Sequence, residues 1–207
     1  MKVRITHISD THGIHKNLYL NGGDILIHTG DVFDFKNNIT EEEILDWFDN
    51  TPYEYKIIVQ GNHDNFSCKN LPYNTYILNN NVLDLYGVKI YGTSAILPEN
   101  RSQKQYNVNT ENELKQILKP KRIDILATHG SPKGILDMKL GKSIGSFSLL
   151  SYVNMAKPKL HLFGHTHQSI GTFNDGNTTF INNSIVKFIR TMQIQSNPLD
   201  IIYGHTH

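Results

Sequence analysis

The chain predicts an α/β fold in which short, mostly parallel strands deliver their ends to one edge. Three observations predict it. Five times a short, largely apolar run rich in Ile, Val, Leu and aromatics stops at a cluster of Asp, His or Asn. Helix-type segments with capping signals lie between several of these runs, and strand pairs separated by turn residues occupy much of the rest. Apolar runs of this length suit strands covered on both faces. Open parallel sheets collect their ligands at the carboxyl edge.

Residues 3–9 form the first run and end in Asp10-Thr11-His12. Residues 24–29 form the second and end in Gly30-Asp31-Val32-Phe33-Asp34. Thr40-Glu41-Glu42-Glu43 then has the capping-box spacing, and Ile44, Leu45, Trp47 and Phe48 supply the apolar face of a helix. Residues 55–60 are the third run, leading to Gly61-Asn62-His63-Asp64. Residues 76–78, 82–85 and 88–91 read as short antiparallel strands. Thr110-Glu111-Asn112-Glu113 repeats the capping box ahead of Leu114, Ile117 and Leu118, with Pro120 as the stop. The fourth run, residues 123–128, ends in His129-Gly130, and a third helix covers residues 146–156, before Pro158. Residues 160–163 are the fifth run and end in Gly164-His165-Thr166-His167. Residues 170–173 and 178–181 flank Asn174-Asp175-Gly176-Asn177, a hairpin signal. The sum is a mixed sheet system with helices outside it.

A length of 207 residues allows one substantial core and is short of two comfortable domains. No domain-scale linker, fold repeat or low-complexity tract interrupts it, so residues 1–207 are expected to form one domain with a short C-terminal strand and tail. A net charge of +1 makes no case for a dedicated nucleic-acid or membrane surface. The single cysteine, Cys68, excludes an intramolecular disulfide and a cysteine-based zinc site. No stretch approaches membrane-spanning length and the first residues read as a strand, so a cytoplasmic location is expected.

The clusters are rich in metal-ligand chemistry. Asp10 and His12 lie two apart just past a strand end, so both side chains can reach one point. Asp31 follows a glycine that permits a sharp turn, and a carboxylate can bridge two cations. Asn62 offers a neutral oxygen, and His129, His165 and His167 offer imidazole nitrogens. Such mixed oxygen and nitrogen sets suit Mn, Fe, Zn, Co or Ni rather than Ca. Two divalent cations against only Asp10 and Asp31 leave a positive centre that attracts an anionic ester and acidifies bound water. The chemistry expected is therefore metal-assisted phosphoester hydrolysis by a metal-bound hydroxide, with Mn first among the ions. His63, beside Asn62, can protonate the leaving oxygen, and both residues face the substrate. Asp34 can orient the His63 ring, and Asp64 is expected to brace its loop.

Other signals carry less. His7, His28 and His161 lie inside strand segments and read as structural, and His15 reads as loop surface. Gly141-Lys142-Ser143 resembles a phosphate loop, but Leu136 stands where the first glycine is required, so the cradle is absent. Gly204-His205-Thr206-His207 repeats residues 164–167, and is read as a solvated tail after a terminal strand at residues 200–203.

The ordered set Asp10-Thr-His12, Gly30-Asp31-x-x-Asp34, Gly61-Asn62-His63-Asp64, His129 and Gly164-His165-Thr-His167 resembles the calcineurin-like metallophosphoesterase superfamily. Thr128-His129-Gly130-Ser131-Pro132, Lys157-Pro158-Lys159 and Thr179-Phe180-Ile181-Asn182-Asn183-Ser184 look closest to its MPPED (metallophosphoesterase domain-containing) branch. The resemblance implies a two-sheet β-sandwich flanked by helices, the metallo-dependent phosphatase fold. It implies one metal on Asp10, His12, Asp31 and His167, and a second on Asp31, Asn62, His129 and His165. It also implies phosphodiesterase activity on small diesters, cyclic nucleotides among them. Phe35-Lys36 follows Asp34, so the Asp-Arg-Gly extension of phosphoprotein phosphatases is missing. The alternatives are a phosphomonoesterase or nuclease on the same site, or a non-enzymatic scaffold. The partner expected is a small phosphoester or nucleotide, with no membrane and no strong nucleic-acid signal.

Overall fold

The computed structural model describes residues 2–34, 38–67, 69–97, 108–188 and 192–204. Phe35, Lys36, Cys68 and the tail triplet His205-Thr206-His207 lie outside the described residues. The first half supplies β1 (Lys2–Ile8), β2 (Gly23–His28), α1 (Glu41–Asp49), β3 (Tyr53–Ile58), β4 (Thr75–Ile77), β5 (Asn81–Leu85) and β6 (Val88–Thr93). Then come α2 (Glu111–Ile117), β7 (Ile125–Thr128), β8 (Met138–Lys139), β9 (Lys142–Ser143) and α3 (Phe147–Ala156). The chain continues through β10 (Leu160–Phe163), β11 (Gly171–Asn174), β12 (Thr179–Asn182), β13 (Val186–Phe188), β14 (Met192–Ile194) and β15 (Leu199–Gly204).

These strands build the two-sheet sandwich. One sheet has the order β15-β1-β2-β3-β4 and the other β11-β12-β10-β7-β6-β5. Strands β1 to β4 are mutually parallel, with β15 antiparallel at the β1 edge. In the second sheet β12, β10, β7 and β6 are parallel, and antiparallel β11 and β5 form the two edges.

Strand alternation sorts the side chains between layers. Ile25 and Ile27 of β2 join Ile5, Ile57, Ile90, Ile125 and Leu162 in the core between the sheets. Leu26, on the opposite face, packs with Ile8 and Ile58 against Ile44, Leu45 and Phe48 of α1. On the far side Tyr91, Leu126, Phe163 and Phe180 meet Leu114 of α2 and Leu149, Tyr152 and Val153 of α3. Burying Phe48 completely makes its truncation to alanine cost roughly 3–5 kcal/mol.

The helix starts follow their capping residues. Thr40 Oγ1 accepts from the Glu43 N–H at 3.2 Å, and Glu43 Oε2 accepts from the Thr40 N–H at 2.9 Å, a complete box. The box expected at Thr110 is only half formed. Thr110 accepts from the Glu113 N–H, but the Glu113 carboxylate turns to the Asn109 N–H at 2.7 Å. Glu111 instead caps α3, accepting from the Phe147 and Ser148 N–H groups and the Ser146 hydroxyl.

Three features depart from the sequence expectations. β4 is parallel to β3 rather than part of an antiparallel set, because the crossover after β3 returns the chain in the same direction beside it. The two small hairpins, β8 with β9 and β13 with β14, were not anticipated. His15, expected on the surface, is fully buried with its ring 4.8 Å from that of Trp47. A one-turn 3-10 helix, His15–Asn17, folds this segment inward, and burial lowers His15 to about 4.

His7, His28 and His161 are the structural residues expected. All are fully buried, and their Nε2 atoms pair with the hydroxyls of Thr29, Thr11 and Thr128 at 2.9, 3.0 and 2.9 Å. Burial lowers each to about 3. In the unfolded chain these rings take protons near the ordinary histidine value of about 6.5. Stability therefore falls as pH drops from there toward 3, since the unfolded state binds the extra protons. Urea unfolding of metal-free protein tests this: the midpoint should fall between pH 7 and pH 4.5, and a flat profile contradicts it. Among the described residues no helix is long and apolar enough to cross a membrane.

Candidate metal centre

β1, β2 and β3 of one sheet and β7, β10 and β12 of the other end at a shared edge. Backbone hydrogen bonds tie those ends together. Asp10 N–H donates to Gly30 O at 2.8 Å, Gly164 N–H to His129 O at 3.0 Å, and Ile185 N–H to Ser9 O at 2.8 Å. Two clusters of ligand atoms result, Asp10 with His12 and His167, and Asp31 with His129 and His165. Within each cluster all ligand atoms lie within 4.8 Å of one another. Asp31 Oδ2 is 3.3 Å from His129 Nε2 and 3.8 Å from His12 Nε2, so it stands between the two. Asn62 Oδ1 is 3.2 Å from His129 Nε2 on the second cluster.

Asp10, Asp31, His129 and His167 are held by bonds that leave one atom of each facing inward. Asp10 Oδ2 accepts from Ser9 Oγ at 2.6 Å, Ser184 Oγ at 2.9 Å and the His165 N–H at 2.9 Å. Its buried Oδ1 accepts from no backbone or hydroxyl donor among the described residues, and lies 3.1 Å from His167 Nε2. Asp31 Oδ1 accepts from the His63 N–H at 2.8 Å, leaving Oδ2 between the clusters. A carbonyl can only accept, so Thr29 O at 2.7 Å fixes the proton of His129 on Nδ1, and Val186 O does the same for His167. Both rings thereby turn Nε2 toward the carboxylates, the usual arrangement around a metal. A buried carboxylate oxygen with no backbone or hydroxyl donor among the described residues, faced by imidazole nitrogens, fits a divalent transition metal.

The backbone is strained where these ligands sit. Asp10 (φ 54°), His12 (φ 41°), Asp31 (φ 58°) and His165 (φ 64°) are all left-handed. Such residues cost about 1–3 kcal/mol each and persist only where the surroundings enforce them. Asp64 supplies part of that enforcement, bracing its loop as expected. Its carboxylate takes the N–H groups of Asp31, Val32, Phe33 and Gly61 at 2.7, 2.7, 3.1 and 2.8 Å. Gly164 has no alternative, since a Cβ there would lie 2.0 Å from Ser9 Oγ and 2.1 Å from Asp10 Oδ2.

The electrostatics point the same way. Burial alone would raise the Asp10 carboxyl, but His167, His129 and His12 outweigh it and hold it well below the carboxylate range. Asp31 is likewise held down against burial, chiefly by His129. Burial alone would lower His129, but Asp31 and Asp10 carry it up to about 10. His167 is raised against burial, with Asp10 the leading cause, whereas burial wins at His12 and takes it to about 4. The carboxylates thus gather positive charge, and metal binding at such ligands displaces protons.

His63 is half-buried beside the first cluster, its ring edge-on to His12 with centroids 5.4 Å apart. Asp34 accepts from the Asn38 N–H at 2.8 Å and the Asn38 amide at 3.0 Å. Beside His165 opens a pocket of about 280 Å³, lined in part by Ile96, Leu97, Ile144 and Phe147 with Ser131 and Glu111. Lys142 lies in the β8–β9 hairpin, which Gln168 and Ser169 fasten to the His167 loop through Leu140 and Met138.

Residues 179–184 entered the sequence reading as a branch signature only, and their end was not placed at this edge, where it forms a sixth polar cluster. Asn182, the last residue of β12, with Asn183 and Ser184 just after it, holds backbone and Asp10 rather than offering ligands. Its position after an apolar run was the available signal.

A family model for calcineurin-like phosphoesterase matches residues 3–169. The chain belongs to the calcineurin-like phosphoesterase family. Its branch is also as expected. Human metallophosphoesterase domain-containing protein 1 is 29% identical over 223 residues, covering 88% of this chain and 66% of that protein's length. UPF0046 protein K07C11.7 of Caenorhabditis elegans is 30% identical over 222 residues, covering 95% of this phosphoesterase and 74% of the relative. One solved crystal structure superposes with a TM-score of 0.62 at 16% identity, over 89% of this chain and 91% of that one, which supports the fold. The family carries metal-dependent phosphoester hydrolysis as its reaction class. The family match ends before β11, so Ser184, Val186 and everything after them lie beyond it.

Proposed function

We propose that this phosphoesterase hydrolyses small phosphodiesters, cyclic nucleotides among them, at a centre holding two divalent cations within a single domain. The observation that carries the reading is Asp31 Oδ2, set between two clusters that each have their own imidazoles. Asp10, His12, Asp31 and His167 would hold one ion, and Asp31, Asn62, His129 and His165 the other. Such ions, when bound, neutralise phosphoryl charge and acidify water for attack.

The protein's own residues do the rest. His63 donates a proton to the leaving-group oxygen, and Asp34 positions its ring. A monoanionic diester matches a centre whose ligands include only two carboxylates. A phosphoprotein would require an additional anion-gripping arginine, and Phe35-Lys36 stands where that extension would begin. The pocket beside His165 offers space for the ester substituent. Manganese is the ion assigned for activation in vitro, because the mixed nitrogen and oxygen shell accepts it.

Turnover measured with matched Mn²⁺ on bis-p-nitrophenyl phosphate, p-nitrophenyl phosphate, cyclic nucleotides, DNA and a phosphopeptide tests the reading. The diesters and cyclic nucleotides should lead. Faster turnover of the phosphopeptide or the monoester overturns the substrate class. No turnover of any substrate by metal-loaded protein favours a scaffold.

A further inference from the structure

We propose that Gln195 is a positioning residue for one of the two metal positions, acting through His167 and the segment that supports Asp10. The proposal rests on the two-ion reading above. Gln195 follows β14, beyond the residues that match the family model, and no ligand motif surrounds it. Its side-chain Nε2 donates to Val186 O at 2.7 Å and His167 O at 3.1 Å, and also lies 3.4 Å from Ser184 O. Its own N–H donates to Ile185 O at 2.9 Å, so the side chain is anchored at its root.

All three of those carbonyls belong to the first cluster's support. His167 is a candidate ligand. Ser184 donates its hydroxyl to Asp10 Oδ2, and Val186 O accepts from His167 Nδ1. One amide therefore holds the backbone of the ligand, the carbonyl that orients its ring, and the residue that fixes its carboxylate neighbour. Val186 O serves two donors, and Gln195 keeps it in place for the imidazole. A methionine or glutamate there would remove one of the two donors on Val186 O and loosen the carbonyl that sets the direction of the His167 ring.

The second cluster is built differently. Thr29 O orients His129, the His63 N–H fixes Asp31, and Asp64 braces the turn. None of these bonds involves Gln195. Its loss should therefore weaken one metal position and spare the other, an asymmetry that general destabilisation would not produce.

The test titrates Mn²⁺ into metal-free wild-type protein and Gln195→Met, followed by calorimetry and by Mn electron paramagnetic resonance. Methionine preserves volume and removes the donor. Wild type should bind two ions and show the spectrum of a coupled pair. Gln195→Met should lose affinity at one position by about 10–100-fold and hold the other within about twofold, giving an isolated-ion spectrum at intermediate Mn²⁺. Gln195→Glu, which sets an acceptor against the same carbonyls, should lose at least as much. The metal-free melting temperature should fall by no more than about 8 °C, as for the two neutral hydrogen bonds lost. Unchanged binding at both positions, equal weakening of both, or a larger fall in metal-free melting overturns the role of Gln195. Wild-type protein that takes up fewer than two ions overturns the two-ion reading itself, and is seen before any variant is made.

Discussion

Asp31→Asn should leave the protein without measurable turnover and with fewer than two bound ions. Asparagine keeps the shape and retains an acceptor for the His63 N–H, which Asp31 Oδ1 now receives at 2.8 Å. It cannot supply the charge. Asp31 Oδ2 is the atom between His12 Nε2 and His129 Nε2, and Asp10 would be the one carboxylate left in the two clusters. Either the amide oxygen serves one cluster weakly, or its NH2 faces both and repels a cation. The Asp64 brace on the backbone of residues 31–33 survives the substitution, so the metal-free variant should fold. Metal analysis and a diesterase assay on the same sample check this. A variant with full activity and two bound ions contradicts the bridging role.

His63→Ala should behave in the opposite way toward metal. The contact that His63 makes with Asp31 is through its backbone N–H, which alanine keeps. Both ions should stay bound while turnover falls by about 10²–10⁴-fold, the range for a lost general acid. The size of the loss should depend on the substrate. A p-nitrophenolate leaves without needing a proton, so bis-p-nitrophenyl phosphate should suffer least, and an alkyl or nucleoside leaving group most. Equal slowing across that series, with metals retained, argues that His63 positions substrate rather than protonates it. Asp34→Asn should reproduce a milder form of the same leaving-group dependence if Asp34 positions the ring.

Much of this was legible because the chemistry-bearing residues sit immediately after apolar runs. A strand buried on both faces has little choice of direction in a parallel sheet, so the residues after it must arrive at the carboxyl edge. Asp10, Asp31, His129 and His165 are placed by that rule alone. The direction of β4 was not legible, since three residues carry no signal beyond their polarity, and a parallel partner depends on the long crossover from β3. His15 was misread because histidine between a glycine turn and Lys16-Asn17 reads as loop, while Trp47, which covers it, is 32 positions away. Asn182 to Ser184 obeyed the rule, yet amides and hydroxyls are weak ligands, and their role as supports emerges only once Asp10 is beside them. Gln195 had no signal at all. A glutamine in a polar segment is ordinary until His167 and Val186 are folded against it.

Crystals of the protein grown with Mn²⁺, with diffraction recorded on both sides of the manganese absorption edge, test the central claim most directly. Two anomalous peaks should appear about 3.5–4 Å apart, with Asp31 between them. Asp10, His12 and His167 should surround one peak, and Asn62, His129 and His165 the other. A single peak, or peaks away from these residues, would contradict it.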